Sequence, residues 1–316
     1  MILLNDQTKT ELQAVRASRW VDDRLVEGFA VVHSVFRRVV NLRLDPGRFL
    51  SLSAQELPIA PNGIVLELPL EVEMEKLGVR LGQEATLIRQ ALLVPAAHLE
   101  VNFAGARRWD PRPRVPRVSP GDLMPRIQRA HAKVIAHGAA GSLLPLLEGD
   151  KETNSPPLVR AARPHAELLY ESASALDNTA VREAASRLAG LGPGLTPSGD
   201  DFLAGFVAAW VLTTEASGLP LSEVSQVAGA ISDGASSRAS ELGSSWIMHA
   251  AFGEVAEPMG RFFTALFSND CEALLPAVLS VLSLGATSGT DWMVGTLFGA
   301  RAALVLAGAA ARGALP

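Results

Sequence analysis

The sequence predicts an α+β protein, in which a β-rich N-terminal domain (a small sheet or barrel) is followed by an all-α C-terminal bundle. Short β-branched runs bounded by turn residues fill the chain up to Phe103, and long apolar segments of helical character follow a proline-rich break. The 316 residues are 48% apolar and 19% charged, which suffices for one large or two ordinary folded domains. We therefore expect a β-rich domain at 1–110 and a helical domain at 111–316.

Five runs in the first part have the composition of strands, because they are rich in Val, Leu, Ile and Phe and lie between Gly, Pro and Asn turn signals. They are Phe29–Phe36, Arg38–Leu44, Ile64–Leu68, Ala85–Val94 and His98–Phe103. The segment Thr10–Trp20 is ambiguous, since its pattern also fits a helix.

The break covers residues 105–121, where four prolines alternate with basic residues, a pattern that excludes a helix and favours an extended crossover. Helices are predicted beyond it, separated by glycine and proline clusters. Besides the apolar helix that includes Phe206–Leu212, they cover approximately 122–137, 164–188, 221–235, 237–252, 272–284 and 290–311.

Composition narrows the class of protein. A net charge of −5 argues against a general nucleic-acid or anionic-membrane binder. The single cysteine, Cys271, excludes an internal disulfide framework and fits a reducing compartment. The N-terminus lacks a basic region and a long apolar core, so we expect no signal peptide and a cytoplasmic location. The apolar stretch Trp292–Ala311 carries Arg301, which indicates a core helix with an internally paired arginine rather than a membrane span.

One segment concentrates unusual residues: Gly190-Leu-Gly-Pro-Gly-Leu-Thr-Pro-Ser-Gly-Asp-Asp-Phe-Leu-Ala-Gly205 runs directly into an apolar helix. Part of it recurs ninety residues later, since Ser198-Gly-Asp-Asp-Phe-Leu-Ala-Gly205 aligns with Ser288-Gly-Thr-Asp-Trp-Met-Val-Gly295. The shared pattern is Ser-Gly-x-Asp-aromatic-apolar-x-Gly, and each copy opens a long helix. We interpret this as a two-fold pseudo-repeat of loop plus helix.

A structural interpretation covers part of the motif. Ser-x-x-Asp is close to a capping box, with Ser198 and Ser288 as N-caps and Asp201 and Asp291 at the third helical position. Acidic side chains in a first turn also favour the helix dipole. This interpretation accounts neither for Asp200 nor for Gly192-Pro-Gly194.

A functional interpretation uses the same geometry, because a helix N-terminus presents free N–H groups and binds anions. Asp200 and Asp201 are the candidate catalytic residues; they would either hold a Mg²⁺ ion or accept hydrogen bonds from an amide or ammonium group of the substrate. Arg238 is the candidate guanidinium for an anion. The whole set of candidate binding residues is Gly192, Gly194, Thr196, Ser198, Gly199, Arg238, Thr287, Ser288, Gly289 and Asp291.

The motif Gly192–Gly205, with Ser237-Arg-Ala-Ser240, His249-Ala-Ala-Phe-Gly-Glu254 and Gly285–Asp291, resembles the AllH family of bacterial proteins. The resemblance implies a component of oxamate carbamoyltransferase, which interconverts oxalurate plus phosphate with oxamate plus carbamoyl phosphate in purine-ureide (allantoin) catabolism. It also implies protein partners, one of them similar to acyl-CoA synthetases. Ala286 stands where the family pattern often has histidine, so a role for that histidine would not be filled here.

Three hypotheses therefore stay open. The chain is a carbamoyltransferase component that binds a small-molecule substrate, such as carbamoyl phosphate or oxamate, between its paired loops. Alternatively it is a non-catalytic scaffolding subunit of a multi-protein complex, in which the loops serve only as caps and packing. The third hypothesis is a Mg²⁺-dependent hydrolase or phosphotransferase that uses the Asp pair.

Overall fold

A computed structural model describes residues 9–24, 27–45, 48–148, 155–268, 270 and 272–312. The chain divides into two compact units, Met1–Pro111 and Arg112–Pro316. The first unit consists mainly of strands and the second of helices, which confirms the predicted α+β class. Cys271 and the first eight residues, on which two of the expectations above depend, lie outside the described residues.

The first unit is a closed barrel. Eight strands pair in the ring β1-β5-β4-β3-β2-β6-β7-β8, β8 pairs back with β1, and β9 lies beside the second half of β1. Closure leaves no exposed sheet edge within the ring. The strands are β1 Thr10–Ser18, β2 Gly28–Val35, β3 Val39–Asp45, β4 Arg48–Ala54, β5 Gly63–Leu66, β6 Glu84–Ile88, β7 Ala91–Val94, β8 Leu99–Asn102 and β9 Arg107–Trp109, with a short helix α1 at Arg19–Arg24.

The barrel encloses an apolar core, and a buried arginine on its wall pairs with an exposed glutamate. Side chains such as Leu42, Leu52 and Val101 fill the interior and are almost inaccessible to water. Arg38, also buried, pairs with Glu56 and donates hydrogen bonds to three backbone carbonyl groups, those of Leu68, Pro69 and Val72. The guanidinium thus satisfies a loop that would otherwise bury unpaired carbonyl oxygens.

Three details of the β-rich part differ from the sequence-based expectations. The ambiguous segment Thr10–Trp20 is mostly strand, because Leu12 and Ala14 alternate inward and pair with neighbours on both sides. The run Ala85–Val94 is two strands, β6 and β7, joined by a turn with Arg89 at φ +48°. Strand β4 was not predicted, since it carries serine at alternate positions, yet it is almost entirely buried.

The second unit contains nine helices within the described residues: α2 Pro120–His137, α3 Pro157–Ser174, α4 Asn178–Leu188, α5 Ser198–Ser217, α6 Leu221–Ala235, α7 Glu241–Ala251, α8 Glu257–Phe267, α9 Leu274–Leu282 and α10 Ser288–Ala311. The predicted helix 164–188 is in fact two, because Leu176 adopts φ +59° and Asp177 caps α4 by accepting from the N–H groups of Thr179 and Ala180. Helix α8 was not predicted.

Helices α5 and α10 lie side by side at the centre of this unit. Almost every residue of α5 is buried, and α10 is buried over most of its length, so both are apolar around the whole circumference. By length and composition α10 is apolar enough to cross a membrane, but 67% of its most apolar window is buried inside the structure, as expected of a core helix. Within the described residues Arg301 forms no ion pair, so the expected internal partner is not found.

Candidate functional site

The two motif helices touch each other backbone to backbone, and glycine makes this contact possible. A Cβ atom at Gly205 would lie 2.1 Å from the carbonyl oxygen of Trp292, and one at Gly295 would lie 1.9 Å from that of Phe202. Gly205 and Gly295 are equivalent in the two copies of the motif, and so are Phe202 and Trp292. The contacts are therefore reciprocal, and the two copies pack around an approximate two-fold axis.

The loops in front of the two helices are folded back in a similar way. Gly192 has φ +106° and Gly285 φ +60°, and each lies against the serine that begins the following helix, Ser198 or Ser288. A Cβ at Gly192 would lie 2.9 Å from the Ser198 nitrogen. Only glycine combines this left-handed backbone with so close an approach. The glycines after each serine, Gly199 and Gly289, pack on the backbone of the preceding helices with no room for a side chain.

The capping-box prediction for the two serines is wrong. Ser198 and Ser288 are the first residues inside α5 and α10, the N-cap positions belong to Pro197 and Thr287, and neither makes a side-chain cap. A capping serine must lie outside the helix with extended backbone angles. Instead, each serine lies beside the aspartate of the other copy, Ser288 next to Asp201 and Ser198 next to Asp291.

Asp201 and Asp291 form the polar centre of this crossing. Both are buried, with exposures of 4% and 0%. The Trp292 indole N–H donates to Asp201 Oδ1 at 3.1 Å, and the Leu143 backbone N–H donates to Asp291 Oδ1 at 2.6 Å. The second oxygen, Oδ2, is buried in both side chains and has no hydrogen-bond partner among the described residues. Buried polar atoms without partners are rare and often mark functional sites.

The pair is electrostatically unusual. Burial raises the pKa of Asp201 well above its ordinary value; the neighbouring Ser288 hydroxyl opposes the rise and the Asp291 charge adds to it. Burial also raises the pKa of Asp291, to about 6; the hydrogen bond from the Leu143 N–H opposes the rise, and so do the neighbouring hydroxyls of Ser198 and Thr287. The two carboxyl groups are near enough for the Asp291 charge to act on Asp201. Burial therefore favours the uncharged form of both carboxyl groups.

Asp200 leaves α5 in a different direction from Asp201 and has different partners. Its two oxygens accept hydrogen bonds from the backbone N–H groups of Gly190 and Ser240, both at 2.8 Å, and its side chain packs against Gly243. Burial raises the pKa of Asp200, and these two N–H donors oppose the rise. Asp200 thus ties the glycine loop to the beginning of α7, and the structure does not bring it together with Asp201.

The geometry gives no support to a magnesium site. Asp200 and Asp201 point about 100° apart, and both oxygens of Asp200 already accept backbone N–H groups, so the two carboxyl groups do not converge on one position. Across the described part of the chain, no group of three or more His, Cys, Asp and Glu side chains could hold a metal ion.

Three other predicted residues, Thr196, Thr287 and Ser288, lie at the junction, the place where the beginnings of α5 and α10 meet around Asp201 and Asp291. The hydroxyl oxygens of Thr196 and Ser288 lie 3.4 Å apart and connect the first loop to the second helix, while Thr287 faces Asp291. Gly194, at φ +101°, has open space around it. The Arg238 side chain is exposed, and what lies near the first loop is its carbonyl oxygen, packed against Gly190.

Sequence reasoning missed three residues of the junction: Leu143, Trp246 and Trp292. Trp292 supplies an N–H donor that Phe202, its equivalent in the first copy, lacks, and its ring lies edge-on to that of Trp246 with centroids 6.0 Å apart. The tryptophan in the second motif was a usable signal, because a buried indole N–H requires an acceptor. The backbone N–H of Leu143 gives no such signal.

Comparisons with known proteins agree with this picture. Residues 188–300 match the family model described as oxamate carbamoyltransferase subunit AllH, and residues 10–108 match the AllH family N-terminal domain. No curated protein and no solved structure matches the chain. The first match contains both motif copies and the second contains the barrel, so together they span more than half of the sequence. The chain therefore belongs to the AllH family, whose name designates a subunit of oxamate carbamoyltransferase.

Proposed function

We propose that this chain is a cytoplasmic subunit of oxamate carbamoyltransferase in purine-ureide (allantoin) catabolism. In this proposal, carbamoyl phosphate or its oxamate or oxalurate counterpart binds where α5 and α10 begin. The observation that carries it is the convergence of two helix N-termini on one junction with hydroxyl groups and two carboxyl oxygens that have no partner among the described residues.

The chemistry of the junction matches that of the ligands. Oxamate and carbamoyl phosphate each combine an anionic group with a –C(=O)NH₂ group. The beginnings of α5 and α10 carry the partial positive charge of a helix N-terminus, which favours an anion, and the hydroxyls of Thr196 and Ser288 add donors there. The N–H groups of Gly199 and Gly289 are not available to a ligand, because they donate to the carbonyl oxygens of Leu191 and Leu284. The carboxyl groups of Asp201 and Asp291 are suited to the amide. Neither carboxyl is suited to a bare phosphate, so the anionic end belongs on the hydroxyl side.

The subunit would contribute to transfer by positioning and by electrostatic stabilisation of the departing phosphate. A family named for a subunit implies a multi-subunit enzyme. We therefore propose that partner proteins complete the active enzyme, and that this chain supplies the substrate-binding junction.

Calorimetric titration of the full chain tests the site. Replacing Ser288 by alanine removes a hydroxyl from the junction, and we expect affinity for oxamate to fall about 10-fold, the typical value of one hydrogen bond to a charged group. Ser225→Ala, an exposed serine on α6 that bonds only within its own turn, is the matched control and should bind like the parent. Equal affinity of the Ser288→Ala variant and the control would contradict the proposed site.

One observation favours the scaffolding hypothesis as a second candidate. Asp201 and Asp291 are almost completely buried, and the glycine contacts around them are those of a rigid core. A scaffolding subunit would bind neither oxamate nor phosphate, and its junction variants would change stability or assembly with the partner proteins. Titration of the parent protein with oxamate, phosphate and carbamoyl phosphate separates the two functions, because only the first predicts heat of binding.

A further inference from the structure

The inference concerns the two carboxyl oxygens Asp201 Oδ2 and Asp291 Oδ2, and it rests on the function proposed above. Each is buried, and each lacks a hydrogen-bond partner among the described residues. The two oxygens are consequently not bonded to each other, although Asp291 is near enough to act on the Asp201 charge. Their other oxygens are already committed to fixed N–H donors, those of Trp292 and Leu143. Both Oδ2 atoms therefore lack a committed donor at this junction.

The two oxygens differ in hydrogen-bonding character. Two buried carboxyl groups this near each other favour sharing one proton, because two buried negative charges would repel. Asp291 has the Leu143 N–H and two hydroxyls beside it, whereas Asp201 has the Trp292 N–H and one, so the surroundings favour the carboxylate at Asp291 and the proton on Asp201. Asp201 Oδ1 accepts from the Trp292 indole, so it is the carbonyl-type oxygen, and the proton belongs on Oδ2. Asp291 Oδ2 is then a carboxylate acceptor. The junction thus presents one O–H donor and one acceptor.

We propose that Asp201 and Asp291 together recognise the unsubstituted amide group, –C(=O)NH₂, of the substrate. The O–H of Asp201 donates to the amide oxygen, and Asp291 accepts from the amide N–H. Carbamoyl phosphate, oxamate and oxalurate all end in this group. One pair of carboxyl groups can therefore bind the amide group that these three ligands share. The anionic remainder of each ligand lies towards Ser288, whose hydroxyl is beside Asp201, and towards Thr196 next to it.

Other occupants fit less well. A hard cation needs more oxygen ligands than two carboxyl groups supply, and the described residues contain no cluster of three or more metal-binding side chains. An ammonium group has only donors, which would oppose the O–H of Asp201. A primary amide matches both positions.

The first experiment compares oxamate with pyruvate, which has the same shape but a methyl group in place of NH₂. Calorimetric titration of the full chain should show oxamate binding at least about 10-fold more tightly, because pyruvate leaves the Asp291 carboxylate buried without a donor. Equal binding of the two ligands would overturn amide recognition and leave the proposed site standing. Failure of oxamate, carbamoyl phosphate and phosphate alike to bind would overturn the proposed function as well.

The second experiment uses asparagine at each position. In Asp201→Asn, Oδ1 must still accept from Trp292, so the new NH₂ group faces the amide oxygen as a donor, and affinity for oxamate should stay within about 3-fold of the parent. In Asp291→Asn, Oδ1 must still accept from Leu143, so the NH₂ group faces the amide N–H, and affinity should fall at least about 10-fold. Asp233→Asn, an exposed aspartate on α6, is the control. Equal losses in the two junction variants, or a larger loss in Asp201→Asn, would refute the assignment of donor and acceptor.

Discussion

Replacing Asp291 by asparagine should stabilise the helical unit at neutral pH while weakening oxamate binding. Burial raises the pKa of Asp291 from 3.8 to about 6. One pKa unit corresponds to about 1.4 kcal/mol, so keeping this carboxyl group ionised in the folded protein costs about 3 kcal/mol. Asparagine cannot ionise, and its carbonyl oxygen can still accept the hydrogen bond from Leu143.

The pH dependence has a defined sign. Because the folded-state pKa is raised, the contribution of Asp291 to stability is fully present below its unfolded value of 3.8 and is lost as pH rises through about 6. The gain in the variant should therefore be about 3 kcal/mol above about pH 7 and should disappear towards about pH 4.

Chemical denaturation of the parent, Asp291→Asn and Asp233→Asn over this pH range measures the difference. The Asp233 control removes an exposed aspartate whose ion pair with Arg182 is also exposed, so it should change stability little at any pH. The reasoning fails if Asp291→Asn is less stable than the parent above about pH 7, or if the difference does not vary with pH. A residue whose removal raises stability and lowers ligand affinity is retained for function.

Three further predictions concern the framework around the junction. Gly295→Ala places a methyl group 1.9 Å from the Phe202 carbonyl oxygen and should lower the free energy of unfolding by at least about 3 kcal/mol. The control Gly229→Ala, on an exposed face of α6 with nothing within 4 Å, should raise it by about 0.5–1 kcal/mol. Thermal unfolding compares the two variants, and equal effects would contradict the glycine-mediated crossing. Asp200→Ala leaves the N–H groups of Gly190 and Ser240 without their acceptor and should lower the free energy of unfolding by about 1–3 kcal/mol in the same assay. If this variant instead lost oxamate binding without losing stability, the result would favour the catalytic role predicted from sequence. Arg38→Ala leaves three carbonyl groups of the barrel without their donor and should lower the free energy of unfolding by about 1–3 kcal/mol. An unchanged denaturation midpoint would refute that assignment.

The barrel shows which parts of the fold the local sequence pattern can predict. Alternating apolar runs located most of its strands, because side chains point to opposite faces in strict alternation. The same pattern missed β4, whose serines are buried. It also could not show that β1 pairs with both β5 and β8 and so closes the ring, because these partners lie far away in sequence.

In the helical unit, too, the local sequence pattern predicts where elements begin but not which residues of the site meet. The repeated motif predicted two equivalent helix starts, and the structure confirms that both begin helices. The sequence could not distinguish a serine that caps its own helix from one that faces the other helix. It also could not separate Asp200 from Asp201, because the two are neighbours in sequence and their partners are set by the direction in which each leaves the helix.

The sequence by itself determined the fold class, the family and the positions where the motif repeats, since these depend on residue type, spacing and local backbone requirements. Only the tertiary structure decided that the two copies cross through their glycines and that Asp201 and Asp291 meet in a buried junction. The physical reason is distance along the chain: the ninety residues between the motifs are brought together by helix packing. The electrostatics of a carboxyl group depend on what surrounds it in space.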